Sequence, residues 1–177
     1  MGRMLREPFR ATKHIVREPL RTLHMDLVGP GPPDHRGNKY GLIITDGGSR
    51  YSFAEGLKQK SEAVDKTETI IATIEKQSGH QVKVIRSDNG GEFVNRSMEE
   101  LRRRKGIRTE PCVAYQKQQN GTAENMNRQL ITGARTIILG SGLPKSLFWL
   151  DALKAASAYR NSRTSRGETI FHLRNFL

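Results

Sequence analysis

The chain has 177 residues, 35% of them hydrophobic, and a formal net charge of +12, which is one domain's worth of polypeptide with enough apolar side chains for a core. Its single cysteine, Cys112, excludes an internal disulfide and the Cys-rich kind of zinc finger, and no apolar run reaches the roughly 20 residues of a membrane span. The surplus of Lys and Arg favours a polyanionic partner, because such cations release counterions from a phosphate backbone.

Residues 1–20 hold Arg3, Arg6, Arg10, Lys13 and Arg17 with Pro8 and Pro19, and read as a basic N-terminal arm. Alternation then predicts a strand over Thr22–Val28, with Leu23, Met25 and Leu27 on one face and His24 and Asp26 on the other. Gly29, Pro30, Gly31, Pro32 and Pro33 break it into an exposed loop. Two further strands, 40–45 and 50–56, flank an Asp46-Gly47 turn and form a hairpin. Ser61 is placed to cap a helix with Glu62 and Asp65 in its first turn and Val64, Thr67, Ile70, Ile71 and Ile74 as its apolar stripe, ended by Gly79.

A fourth strand over 82–86 delivers Asp88, and the intervening helix makes it parallel to an earlier strand. A helix over 93–105, a short strand over 107–110 and a polar loop over 111–121 follow. Thr122 is then placed to cap a long helix that buries Ala123, Met126, Leu130, Ala134 and Ile137 and is stopped by Gly140 and Gly142. Pro144 starts a last helix running to about Asn161. The five histidines are scattered without ligand spacing.

Asp26, Asp88 and Glu124 stand out: one inside a strand, one at the end of another, one near the start of a helix. Neighbouring strands lie about 4.8 Å apart and paired catalytic metals about 3.5–4 Å apart. Three converging carboxylates would supply the hard oxygen ligands that phosphodiester chemistry needs. Asn127, Arg128, Ile131 and Arg135 share the helix side of Glu124. Glu92 is read as structural and Asp46 as part of the hairpin turn. The densest basic cluster, Arg102 to Lys105, is balanced between a solvated helix end and a phosphate contact.

The strings around these acids carry a resemblance. LHMDLVGP (23–30), LKQKSE (57–62), IRSDNGGEF (85–93), YQKQQNGTAE (115–124), MNR (126–128), AR (134–135), LP (143–144) and FW (148–149) occur in the order of a copia-type retrotransposon integrase core, within the wider DDE integrase and transposase family. The chain resembles that family over about residues 20 to 165. The resemblance implies an α/β, ribonuclease-H-like fold: a mixed five-stranded sheet, three antiparallel strands plus two parallel, flanked by helices.

It further implies metal-dependent polynucleotidyl transfer, with Asp26, Asp88 and Glu124 holding two Mg²⁺ ions and Mn²⁺ as a substitute. Element ends and target DNA would be the partners, contacted by Lys117, Gln119, Asn120 and Arg128. It implies an intracellular, nuclear place of work, a possible homo-oligomer and no membrane. The expected division is the arm at 1–20, the integrase catalytic core at 21–165 and a C-terminal tail at 166–177. The chain departs from the family pattern at Lys117, where proline is usual, and at Asn125, where a cation is usual. The family's zinc module and C-terminal DNA-binding domain are not expected within it. A catalytically inactive remnant that only binds nucleic acid, and a ribonuclease-H-like nuclease, are the alternatives.

Overall fold

The structure, a computed structural model, describes residues 18–87, 90–91, 93–109 and 117–164, with side chains at 109, 117–124 and 164 outside the description. Residues 1–17 of the arm, the tail, Asp88, Asn89, Glu92 and residues 110–116 therefore lie outside the described residues. Five strands, β1 (Thr22–Val28), β2 (Tyr40–Asp46), β3 (Ser52–Leu57), β4 (Val84–Ser87) and β5 (Arg108–Thr109), form one sheet in the order β3-β2-β1-β4-β5. The β1–β2 and β2–β3 pairs are antiparallel, and β1–β4 and β4–β5 are parallel. This is the mixed sheet that the hydrophobic patterns predict. Among the described residues four α-helices flank it: α1 (Ala63–Ser78), α2 (Arg96–Lys105), α3 (Lys117–Ser141) and α4 (Lys145–Thr164).

Alternation along the strands divides the interior into two apolar layers. Leu23, Met25, Leu42, Ile44 and Ile85 pack with Val64, Ile71, Ile74, Met98 and Leu101 of α1 and α2. On the opposite face Ile43, Ala54 and Val28 meet Leu130, Ala134 and Ile138 of α3 and Leu150, Leu153 and Ala156 of α4. At about 1.5–3 kcal/mol for each large apolar side chain removed from water, these two layers are the main source of stability. Gly41 lets the second layer close: a Cβ there would come within 2.9 Å of Val28 Cγ2 and 3.0 Å of the Leu150 and Leu153 Cδ2 atoms.

Several element ends differ from the sequence expectations. Ser61 does not cap α1: a 3₁₀ turn over Lys60–Glu62 leads into it, and the α1 N-cap position, Glu62, makes no side-chain cap bond. Glu62 instead accepts the Lys58 N–H through Oε2 at 2.9 Å. Val64, Thr67, Ile71 and Ile74 of the expected stripe are buried and Ile70 partly so, and Gly79 ends α1 with φ of 71°. β4 starts at Val84 rather than at 82, and α2 at Arg96 rather than at 93. The reason at α2 is Asn95, whose side chain accepts the Met98 N–H at 2.9 Å and so fixes the helix start; Phe93 becomes a fully buried plug in the first apolar layer. Helix α3 begins at Lys117, so residues 117–121 are helical rather than loop and Thr122 lies inside the helix, not at its cap. Ile138 is buried where Ile137 was expected, while Ile137 packs partly buried beside it. Gly142, at φ of 69°, stands just beyond the end of α3, and α4 continues to Thr164.

Asp46 does more than shape the hairpin turn. Fully buried, its Oδ1 accepts the Leu20 and Gly48 N–H groups at 3.1 and 3.2 Å. Its Oδ2 accepts the Ser49 N–H at 2.7 Å and the Ser49 hydroxyl at 2.6 Å. Leu20 sits at φ of 58° with its side chain fully buried. That left-handed backbone costs a non-glycine residue about 1–2 kcal/mol, offset by burial of the leucine. The proline-rich segment after β1 is exposed as expected, except at Gly31, and is tethered by Trp149, whose Nε1 donates to the Pro32 carbonyl at 3.0 Å while the indole covers Gly31.

Candidate functional site

Period-two alternation puts Asp26 on the sheet face that carries α3 and α4, opposite Ile43 of β2 in the strand register. The residue is half-buried, and its two carboxylate oxygens have different partners. Oδ1 accepts the N–H of the following residue, Leu27, at 2.9 Å. Oδ2 accepts Nδ2 of Asn127 at 2.8 Å, a contact that spans 101 positions of sequence. Both bonds are charge-assisted and restrict the rotation of the carboxylate. A carboxylate offers about four lone-pair directions, so each oxygen retains capacity for a cation. The chemistry of the donor fits a hard divalent ion.

Asn127 reaches Asp26 because α3 is held against the sheet by Met126, Leu130, Ala134 and Ile138 at three- and four-residue spacing. Sequence reasoning placed Asn127 on the side of α3 that faces the sheet but gave it no bond. The available signal was the three-residue offset from Glu124, which puts both positions on one helical face. Glu124 is in α3, two turns beyond the observed start, and its side chain lies outside the described residues, as do those of Lys117, Gln119 and Asn120. Asp88 lies wholly outside them. Its covalent neighbour Ser87 is the last residue of β4 and the register partner of Met25, which precedes Asp26. Of the three expected acids, then, the described residues contain one complete side chain, and among them no group of three or more potential ligands forms. Arg128 is exposed on α3.

The basic cluster at the end of α2 resolves in favour of structure. Arg102 is only 7% exposed, and burial pulls its guanidinium below the ordinary value, partly countered by Glu99. Arg104 bonds Glu68 at 3.0 Å and Lys105 bonds Glu75 at 2.9 Å, tying α2 to α1. Arg103 is left facing solvent. Phe148 and Trp149 pack against the second apolar layer, as expected of core aromatics.

Comparisons with known proteins agree with this architecture. The integrase core domain family matches residues 16–117. The retrovirus-related Pol polyprotein from transposon TNT 1-94 of Nicotiana tabacum is 34% identical over 156 residues, covering 88% of this chain and 12% of that polyprotein. The transposon Ty1-DR4 Gag-Pol polyprotein of Saccharomyces cerevisiae is 32% identical over 153 residues, covering 84% of the chain and 9% of its own length. The chain thus spans about an eighth or less of these curated relatives. Among solved structures, the catalytic core domain of BIV integrase superposes with a TM-score of 0.60 at 20% identity, over 86% of this chain and 90% of that one. That likeness carries the fold: a ribonuclease-H-like mixed sheet with helices on both faces. With more than half of its length matched by the family, this chain belongs to the integrase core domain family.

Proposed function

We propose that this chain is the catalytic core of a copia-type retrotransposon integrase, working on DNA by metal-dependent strand transfer, with residues 21–165 as the working unit between a basic arm and a tail. The observation that carries the reading is the 2.8 Å bond between Asn127 and Asp26. It fixes an acid of β1 against the helix that bears Glu124, three residues and about 4.5 Å of helical rise earlier. Asp88 is one peptide unit, about 3.8 Å between Cα atoms, beyond a residue paired with the neighbour of Asp26. Chain connectivity and strand spacing support a reading in which the three acids meet at one end of the β1–β4 pair.

In this reading Asp26, Asp88 and Glu124 hold two magnesium ions, for which manganese can substitute. Bound there, the cations would polarise the scissile phosphate and lower the pKa of the attacking water or hydroxyl. Asn127 orients Asp26. The half-buried setting of Asp26 limits the water around its carboxylate, which strengthens its attraction for a cation. Lys117, Gln119, Asn120 and Arg128, on the first three turns of the same helix, contact the DNA strand and position it.

The test uses the whole chain with a short duplex whose element-type end is already trimmed, in magnesium. Joined products are expected from the parent protein, and their loss from Asp26→Asn and Glu124→Gln, each with an unchanged circular-dichroism spectrum. Cutting without joining would favour a nuclease. Full joining by Glu124→Gln would refute the assignment of the acids.

A further inference from the structure

A group of arginines gathers outside the acid site, where the C-terminal end of α4 meets the β2–β3 turn. Asn161 Oδ1 accepts the Ser52 N–H at 2.9 Å, while Asn161 Nδ2 and Ser157 Oγ donate to the Ser52 carbonyl at 2.8 and 2.7 Å. This lashing brings Arg50, two residues before Ser52, to the end of α4 that carries Arg160 and Arg163. Among the described residues no carboxylate lies within salt-bridge distance of these three arginines. Partial burial, with the nearby charge of Arg50 as a smaller cause, lowers the affinity of the Arg160 guanidinium for its proton.

Two of the cations are aimed, not merely present. Arg163 Nη1 donates to the Tyr159 hydroxyl at 3.0 Å, and its guanidinium stands 5.7 Å from the centre of that ring, itself 62% exposed. Arg160 Nη1 donates to the Met126 carbonyl at 3.3 Å. Both arginines line a groove of about 420 Å³ between α3 and α4 whose remaining wall is mainly apolar, with Leu130, Ile137, Ala156 and Tyr159 in it. Met126 is the residue before Asn127, so the groove abuts the helix segment that holds Asp26. Collecting like charges without counter-charge costs self-repulsion, which an anionic ligand relieves. A rail of spaced guanidiniums suits successive phosphates of a strand, because each guanidinium can bond a phosphate through two donors.

We propose that Arg50, on the β2–β3 turn, and Arg160 and Arg163, at the rim of the α3–α4 groove, form a secondary track for a nucleic acid backbone past the C-terminal end of α4. The track rests on the proposed function, since it takes the strand that such a site would work on, and its chemistry is that of phosphodiesters, single-stranded or duplex. Arg50 and Arg163 carry the sharper test, because Arg160 also braces α3.

The experiment measures fluorescence anisotropy of a labelled duplex and of a labelled single strand against the full chain, in EDTA, from about 50 to 200 mM salt. Each lost phosphate contact reduces the slope of log affinity against log salt by about 0.9 for duplex and about 0.7 for single strand. Arg50→Gln with Arg163→Gln is therefore expected to flatten the slope by about 1.8 or about 1.4, according to which form occupies the track. Each single variant should lose half of that, which keeps the test available if the double variant folds poorly. Lys76→Gln with Arg103→Gln removes two exposed charges from the opposite helical layer and is expected to leave the slope within half a contact. An unchanged slope in the arginine variants, an equal loss in the control pair, or no measurable binding of either nucleic acid overturns the track. Asp26→Asn separates the two ideas: it should abolish joining with the binding slope intact, whereas joining that survives it sinks the proposed function and leaves the binding result standing.

Discussion

Replacing Asn127 by alanine isolates what the carboxamide does for Asp26. The bond is 2.8 Å long and both partners are half-buried, so the lower end of the range for a hydrogen bond to a charged group applies, about 1.5 kcal/mol. Alanine returns about 0.5 kcal/mol through its better helix propensity, leaving a net loss near 1 kcal/mol. For a domain of this size that lowers Tm by about 2–4 °C. The functional loss should be larger, because a freed carboxylate must be reoriented each time it takes a cation. Loss of such an outer partner typically weakens metal binding by about 10–100-fold. Strand joining by Asn127→Ala, titrated with magnesium, should therefore reach half its maximum at a concentration at least about tenfold above the parent's. A variant that loses the expected few degrees yet keeps the parental magnesium curve would show that Asn127 only secures α3, and the reasoning would fail.

Gly41→Ala inserts a methyl group at 2.9–3.0 Å from Val28, Leu150 and Leu153 and should cost about 1–3 kcal/mol as overpacking, read as a lower urea midpoint at unchanged m-value. Asn161→Ala strips the Ser52 N–H of its acceptor and its carbonyl of one donor; a loss of about 1–3 kcal/mol is expected by the same measurement. Asp34 supplies an acid-side dependence. Burial pushes its pKa up, but the Asn38 amide and the Asn38 and Arg36 N–H groups outweigh this and leave it below the ordinary aspartate value. Its contribution is thus present above the unfolded pKa of about 3.9 and disappears as pH falls through the folded value. Asp34→Asn should flatten that part of the stability profile, and a denaturation series from pH 6 down to about pH 3 checks it.

The sheet was legible because its strands announce their faces: Leu23, Met25 and Leu27 alternate with His24 and Asp26, and the helices carry apolar stripes at the right period. The parallel direction of β4 followed from the helix between β3 and β4, which demands a crossover, whereas the strand order emerged only from the structure. Element ends were less legible. Asn95 is an ordinary cap residue, but the apolar Phe93 and Val94 before it suggested an earlier start; α3 continues through Gly121, which reads locally as a breaker. In the site, the face of Asp26 could be read from period two, while its bond to Asn127 could not, since that bond depends on how α3 is seated by contacts distant in sequence. The charge on α2 misled for a related reason: Glu68 and Glu75, which neutralise Arg104 and Lys105, stand some 30 residues earlier, so local composition shows cations without their partners.

The way α4 lashes onto Ser52 also bears on how copies of this chain behave when crowded. A sheet's outermost strand normally offers free amide and carbonyl groups on which a foreign strand can template itself. On β3 the outward polar groups of Ser52, the first residue of the strand, are satisfied by Asn161 and Ser157. That end of β3 is thereby a poorer template for a foreign strand, and Asn161→Ala would reopen it.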